Sequence, residues 1–119
     1  MNPIDKQVLV DAGIDVDGAL ERFMGSEALL VRFLRKFPAD PNFSALETAL
    51  AAGDCDGAFT AAHTLKGVCG NLSITALFEA VSRQTEQLRA GDLAAAAAMM
   101  PALTAQYQDV CRAIQAALP

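Results

Sequence analysis

The chain has 119 residues, of which 53% are hydrophobic and 19% are charged. This length corresponds to a single domain, predicted over residues 1–119, and the apolar content excludes a disordered chain. The net charge of −5 argues against a nucleic-acid partner, because few cations are available to displace the counterions of a phosphate backbone. Only one histidine is present, which excludes chemistry that needs two.

The cysteines and the N-terminus predict the compartment. Cys55, Cys69 and Cys111 are odd in number and widely spaced, which favours a reducing environment, and we interpret each as a buried, inert thiol. Met1–Asp5 carries no signal-peptide pattern, and the longest apolar run, 93–103, is about half of what a membrane span needs. The sequence therefore predicts a cytoplasmic protein without membrane contact, and its start at Met with a compact length favours a free-standing one.

Helix signals dominate the whole chain, since alanine is abundant, β-branched residues are sparse and no long segment alternates apolar and polar residues. Caps, glycines and prolines predict helices over about 16–24, 26–37, 43–52, 54–72, 73–90 and 93–117. Pro101 predicts a kink or a new start within the last one. Short connections make successive helices antiparallel. The expected fold is all-α, an antiparallel up-down four-helix bundle of the last four helices with short additional N-terminal helices.

The fourth predicted helix contains the histidine. At about 100° per residue, an apolar stripe runs along one side of this helix and is assigned to the core: Ala58, Ala62, Leu65, Cys69 and Leu72. His63 lies about 140° from the centre of that stripe, so we expect its side chain to face solvent.

Two glycines and a lysine share the face of the histidine. Lys66, Gly67 and Gly70 follow His63 at helical spacing, and each glycine inside a helix costs about 1 kcal/mol relative to alanine. A lone histidine is ordinarily a surface or core residue, and a helical glycine often marks only a close helix contact. Here an imidazole, bare backbone and an ammonium group lie together. This combination indicates a place where a phosphoryl group is attached and another protein approaches closely.

The segment HTLKGVCGNL, from His63 to Leu72, resembles the signature of histidine-containing phosphotransfer (HPt) domains. That signature is His, any residue, Leu, Lys and Gly, followed by small residues and a Leu. The resemblance extends over about 14–117, including Asp15–Phe23, the helix 29–37 and Ala51–Asp54. Ser73 departs from the family, which commonly has Gly there, and we expect this to change only the helix junction.

The resemblance implies a phosphoryl carrier without kinase or ATPase activity of its own. His63 would accept a phosphoryl group from a receiver-domain aspartate or a hybrid sensor kinase and pass it to the aspartate of a response regulator. Lys66 would stabilise the phosphoryl charge, and Gly67 would provide steric access. Gln84, on the next helix, is the nearest candidate for the polar residue that the family often has near the histidine. No cofactor or metal site is expected in this chain, since Mg²⁺ would belong to the partner receiver domain.

Receiver domains of response regulators or of a hybrid kinase are the implied partners, and the protein is expected to be a monomer. The predicted partner-binding residues lie around the histidine: Phe59, Thr64, Val68, Gly70 and Asn71. Phe59, one turn before His63, is the best placed to dock a receiver. Ordinary packing is an equally good interpretation of Phe59 and Val68.

The sequence leaves two alternatives to phosphotransfer. The first is a helical adaptor that docks receiver domains without being phosphorylated, although the intact His63, Lys66 and Gly67 argue against it. The second is a metal or redox site formed by Cys55, His63 and Cys69. It is disfavoured because Cys69 lies on the core stripe and His63 opposite, so the two cannot converge on one ion.

Overall fold

The computed structural model describes residues 4–119 and is helical throughout. Within that range there is no strand, and one short 3₁₀ turn spans Phe37–Ala39. The α-helices are α1 (Lys6–Asp11), α2 (Val16–Arg22), α3 (Glu27–Lys36), α4 (Asn42–Ala51), α5 (Cys55–Asn71), α6 (Thr75–Arg89), α7 (Leu93–Ala98) and α8 (Met100–Ala117). The predicted all-α class is confirmed. The prediction about a signal peptide rests on Met1–Asp5, and residues 1–3 lie outside the described part of the chain.

The bundle is built from α4 to α8. α5 packs between α4 and α6, and α6 contacts α7 and α8. The bundle closes where Phe43 of α4 stacks on Tyr107 of α8 with their ring centroids 4.0 Å apart. Leu46, Leu65 and Leu77 lie in one continuous buried cluster with side chains of α8. The predicted up-down bundle of the last four helices is therefore confirmed.

The last predicted helix is divided in two. Met99 separates α7 from α8, and Pro101 occupies the first turn of α8. A proline has no N–H to donate and its ring clashes with the preceding turn, but both are tolerated at a helix start. Pro101 thus opens a new helix, one of the two outcomes that the sequence left open.

A short helix precedes those that the sequence predicts. α1 begins where the Asp5 side chain accepts a hydrogen bond from the Val8 amide, and it packs against α8. Next to it, the Asp15 amide donates to the Ser73 carbonyl at 2.8 Å, and the Thr75 amide donates to the Gly13 carbonyl at 2.9 Å. The N-terminal segment is therefore fastened to the turn between α5 and α6.

Two junctions adopt left-handed backbone conformations at residues other than glycine. Met24, after α2, has φ +56°, and Ser73, between α5 and α6, has φ +54°. L-residues visit this region at a cost that glycine does not have. The glycine that the resemblance leads us to expect at position 73 would suit this backbone conformation, which Ser73 also adopts.

None of the helices within residues 4–119 is both long enough and apolar enough to cross a membrane.

Candidate functional site

His63 lies on α5, a helix of 17 residues. α5 begins at Cys55 behind an aspartate cap, in which Asp54 Oδ1 accepts from the Gly57 amide at 2.9 Å. All five residues of the predicted apolar stripe are buried: Ala58, Ala62, Leu65, Cys69 and Leu72. His63 is exposed on the opposite side. The rotation of this helix is as the 3.6-residue periodicity predicts.

The surface next to the imidazole is open at Gly67. A Cβ atom built at Gly67 would have no atom of a neighbouring element within 4 Å. Lys66 is half-buried, and the ion pairs within residues 4–119 (Lys6–Asp17, Arg89–Glu86 and Arg112–Asp109) leave its ammonium without a carboxylate. A free cation and an uncovered stretch of backbone therefore lie one turn from the imidazole.

The surface over Gly70 is not open. A Cβ atom at Gly70 would lie 3.2 Å from Cε2 and 3.4 Å from Cδ2 of Phe78, on α6. Gly70 was expected to clear space for a partner, and the structure corrects this because the Phe78 ring fills that space. The missing side chain at Gly70 permits close packing of α5 against α6.

The remaining predicted partner-binding residues differ in exposure. Thr64 and Asn71 are exposed, and the Thr64 hydroxyl donates to the Thr60 carbonyl at 2.9 Å. Val68 is half-buried and packs against the core cluster. Thr64 and Asn71 thus remain available on the surface beside the histidine, whereas Val68 contributes to packing.

Phe59 contacts the histidine directly. Its ring is stacked on the imidazole, with centroids 5.8 Å apart and planes 14° from parallel. The guanidinium carbon of Arg89, from the end of α6, lies 5.0 Å from the centroid of the same ring. Arg89 and Phe78 are the site neighbours that sequence reasoning missed.

The expected antiparallel pairing of α5 and α6 is the sequence feature from which Arg89 and Phe78 could have been predicted as neighbours of the site. Gly70 faces Phe78 and Phe59 faces Arg89. Residues nearer the start of α5 therefore face residues nearer the end of α6. Once the turn between these helices is located near Ser73, this register brings Arg89 to the level of Phe59.

The family model of the Hpt domain matches residues 28–113, most of the chain, including all of α5. The chain belongs to the Hpt domain family. Hpt domains act in phosphorelays by histidine phosphotransfer and interact with receiver domains, and the all-α fold is consistent with that membership. Comparisons with curated proteins and with solved structures find no significant match.

In this Hpt domain, Gln84 does not lie against the histidine. Its side chain is fully buried, and Nε2 donates to the Ala96 carbonyl at 3.0 Å and contacts the sulfur of Met100 at 3.2 Å. Gln84 joins α6 to the junction of α7 and α8. The expectation that it would reach a phosphoryl group on an exposed histidine is therefore wrong.

The cysteines of the Hpt domain occupy different environments. Cys69 is fully buried, whereas Cys55 and Cys111 are half-buried, which corrects the expectation that all three are buried. Burial, with a smaller contribution from the negative charge of Asp40, raises the pKa of the Cys69 thiol to about 12. Burial also raises the pKa of Cys111, although a hydrogen bond with Tyr107 opposes the shift.

The proposed metal alternative has no geometric support. Cys69 points into the core while His63 points outward from the same helix. Across residues 4–119, no group of three or more His, Cys, Asp or Glu side chains is close enough to hold a metal ion.

Proposed function

We propose that His63 is the phosphoryl-accepting residue of this Hpt domain. It would take the phosphoryl group from an aspartate of a receiver domain, free or within a hybrid sensor kinase, and pass it to an aspartate of a response regulator. One observation carries the proposal: the only histidine of the chain projects from α5 beside the uncovered backbone of Gly67 and beside Lys66, which has no ion pair within residues 4–119.

The transfer needs one lone pair of the imidazole. A ring nitrogen attacks phosphorus, an N–P bond forms, and the P–O bond to the aspartate breaks with its electron pair returning to the carboxylate. The ring keeps the proton on its other nitrogen and becomes positively charged. The reverse step, onto the aspartate of the next receiver, restores the neutral ring, so no other reactant is consumed.

Lys66 and Gly67 serve this step in different ways. The ammonium of Lys66 would balance the charge of the phosphoryl oxygens, since phosphoryl transfer depends mainly on positioning and electrostatic stabilisation. Gly67 would let the phosphoryl group and the active-site loops of a receiver approach the helix surface. The receiver would supply Mg²⁺ and the acidic residues that bind it, and the Hpt domain would need no ATP.

The test is phosphoryl acceptance from receiver domains of the source organism. Each receiver is phosphorylated with a small acyl phosphate and Mg²⁺, purified, and mixed with the Hpt domain. Wild-type protein is expected to acquire an acid-labile, alkali-stable phosphate, and His63→Gln is expected to keep its helical circular dichroism while acquiring none. Lys66→Ala should accept about tenfold more slowly, since it removes one charge contact.

Equal labelling of His63→Gln would place the phosphate elsewhere and refute the assignment. If wild-type protein binds a receiver without being labelled by any of them, the chain would instead be the docking adaptor.

A further inference from the structure

The imidazole of His63 is not free on the helix surface, because it lies against an aromatic ring that is itself in contact with a cation. Phe59, one turn earlier on α5, stacks on it with centroids 5.8 Å apart and planes 14° from parallel. Arg89 places its guanidinium carbon 5.0 Å from the Phe59 centroid. The three side chains form a continuous series from the end of α6 to the histidine, which we call the Arg89–Phe59–His63 stack.

Phe59 and Arg89, the two members of this stack other than the histidine, have further contacts of their own. Phe59 is half-buried and packs against the core cluster, so its ring is held by more than the histidine. Arg89 Nε lies 3.3 Å from Glu86 Oε2, which is on the same helix one turn earlier. This ion pair is exposed and contributes little stability, and the guanidinium lies between the Glu86 carboxylate and the ring of Phe59.

An exposed imidazole on a helix would otherwise exchange among staggered rotamers within nanoseconds. Contacts between aromatic rings favour one arrangement by roughly two- to tenfold in population, as do cation–π contacts at exposed sites. A nucleophile must point its lone pair at the phosphorus atom, and misplacement by about 1 Å can slow a reaction by about 100-fold. A stack that selects one rotamer therefore acts on the rate of transfer.

We propose that Phe59 is a positioning residue that fixes the rotamer of His63 for phosphoryl transfer, and that Arg89 holds Phe59 in place. This inference rests on the proposed function, because it concerns the transfer at His63. It differs from a docking role for Phe59, which would change how tightly a receiver binds and leave the rate within the complex unaltered.

Four variants separate these possibilities. Phe59→Leu removes the aromatic ring but keeps an apolar side chain, and Phe59→Tyr restores the ring. Arg89→Met removes the cation while keeping an unbranched apolar stem. Phe33→Leu is the matched control. The Phe33 ring stacks on Phe23 with centroids 5.2 Å apart, and the Lys36 ammonium lies 5.2 Å from its centroid. This variant therefore also loses an aromatic and a cationic contact, but none with the histidine.

The first measurement is the nuclear magnetic resonance spectrum of the imidazole, whose signals are unambiguous because the chain has one histidine. Wild-type protein should show a single dominant χ1 rotamer from three-bond couplings, and Overhauser contacts between the rings of Phe59 and His63. Phe59→Leu should give averaged couplings. Phe59→Tyr and Phe33→Leu should keep the wild-type values. Averaged couplings in the wild-type protein, or unchanged ones in Phe59→Leu, would overturn the proposal.

The second measurement is the rate of phosphoryl acceptance as a function of phosphoreceiver concentration. Phe59→Leu is expected to lower the saturating rate about three- to tenfold, with the half-saturating concentration unchanged, and Arg89→Met should lower it about twofold. Phe59→Tyr should recover the wild-type rate. A change confined to the half-saturating concentration would make Phe59 a docking residue and refute positioning, as would an equal loss in Phe33→Leu.

The two proposals fail in distinguishable ways. If wild-type protein accepts no phosphate, the proposed function fails, while the couplings still report whether the stack orders the imidazole. If wild-type protein is phosphorylated and Phe59→Leu transfers at the same saturating rate, only the positioning role fails.

Discussion

Gly67 and Gly70 lie one turn apart on the same helix and have opposite surroundings. Nothing lies within 4 Å of a Cβ at Gly67, whereas one at Gly70 would lie 3.2 Å from the ring of Phe78. Both cost the helix about the same in conformational entropy. At Gly70 that cost is offset by closer packing between α5 and α6, and at Gly67 the fold gains nothing in return. A helical glycine without a packing neighbour is therefore the more informative sign of an external partner.

The largest expected effect comes from filling the open position. Gly67→Leu should slow phosphoryl acceptance by about 100-fold, because the new side chain displaces the receiver from the histidine. The folded state should hold or gain about 0.5–1 kcal/mol, because leucine favours a helix more than glycine does. Receiver-dependent labelling and urea unfolding measure the two quantities. Wild-type labelling together with lower stability would show that Gly67 is a packing residue.

Gly70→Leu is the counterpart at the covered position. Its side chain must displace the half-buried ring of Phe78, and overpacking of this kind costs about 1–3 kcal/mol. We expect urea unfolding to show that loss, opposite in sign to the change in Gly67→Leu. A stability equal to or above wild type would mean that Phe78 moves away without cost and that the two glycines are alike. The Phe78→Ala substitution makes room for the new leucine. In a double-mutant cycle, combining it with Gly70→Leu should therefore recover part of the lost stability.

The smallest expected effect is a pH dependence of the free energy of unfolding, which arises from Cys69 on the buried face of α5. Folding raises the pKa of Cys69 from 9.0 to about 12, so the folded state favours the protonated thiol. Its contribution to stability is complete below pH 9 and is lost as pH rises from there toward 12. The loss is on the order of 1 kcal/mol at pH 10.

Urea unfolding of wild type and Cys69→Ala at pH 8 and pH 10 measures this contribution. The variant should lose less stability between the two pH values than wild type does, by on the order of 1 kcal/mol. The same pH dependence in both proteins would contradict a buried thiol at this position. Any effect of the smaller side chain on packing applies at both pH values and cancels in the comparison.

Local signals in the sequence predicted most of the fold. Asp92 caps α7, as its position before the predicted last helix indicates, and of Asp54 and Asp56, the two candidates for the start of α5, Asp54 is the cap. The outward direction of His63 followed from the buried stripe alone. α1 was missed because it has only six residues and two β-branched ones, so neither propensity nor periodicity stands out. The openness of Gly67 and the coverage of Gly70 could not be distinguished within α5, because they depend on a side chain from α6.

The prediction for Gln84 was wrong, although the sequence contains the information that assigns this residue to the core. Leu77, Val81 and Leu88 are buried on α6. Gln84 lies three residues after Val81 and four before Leu88, so it belongs to the same buried stripe of the helix. Its polarity suggested an exposed site residue, but the periodicity of its own helix assigns it to the core. Arg89, directly after that stripe, required the pairing of α5 with α6 before it could be connected to Phe59.

The hydrogen bonds that join Gly13 and Asp15 to the α5–α6 turn have a practical consequence for any shortened form of this protein. The family match starts at residue 28, yet Leu9, Ile14, Val16 and Ala19 are buried in the same core as the bundle. A protein trimmed to the match would lose those apolar contacts and the backbone hydrogen bonds that hold the turn. The packed core therefore extends beyond the segment that the family model matches, and the residues before position 28 hold the turn at which the histidine's helix ends.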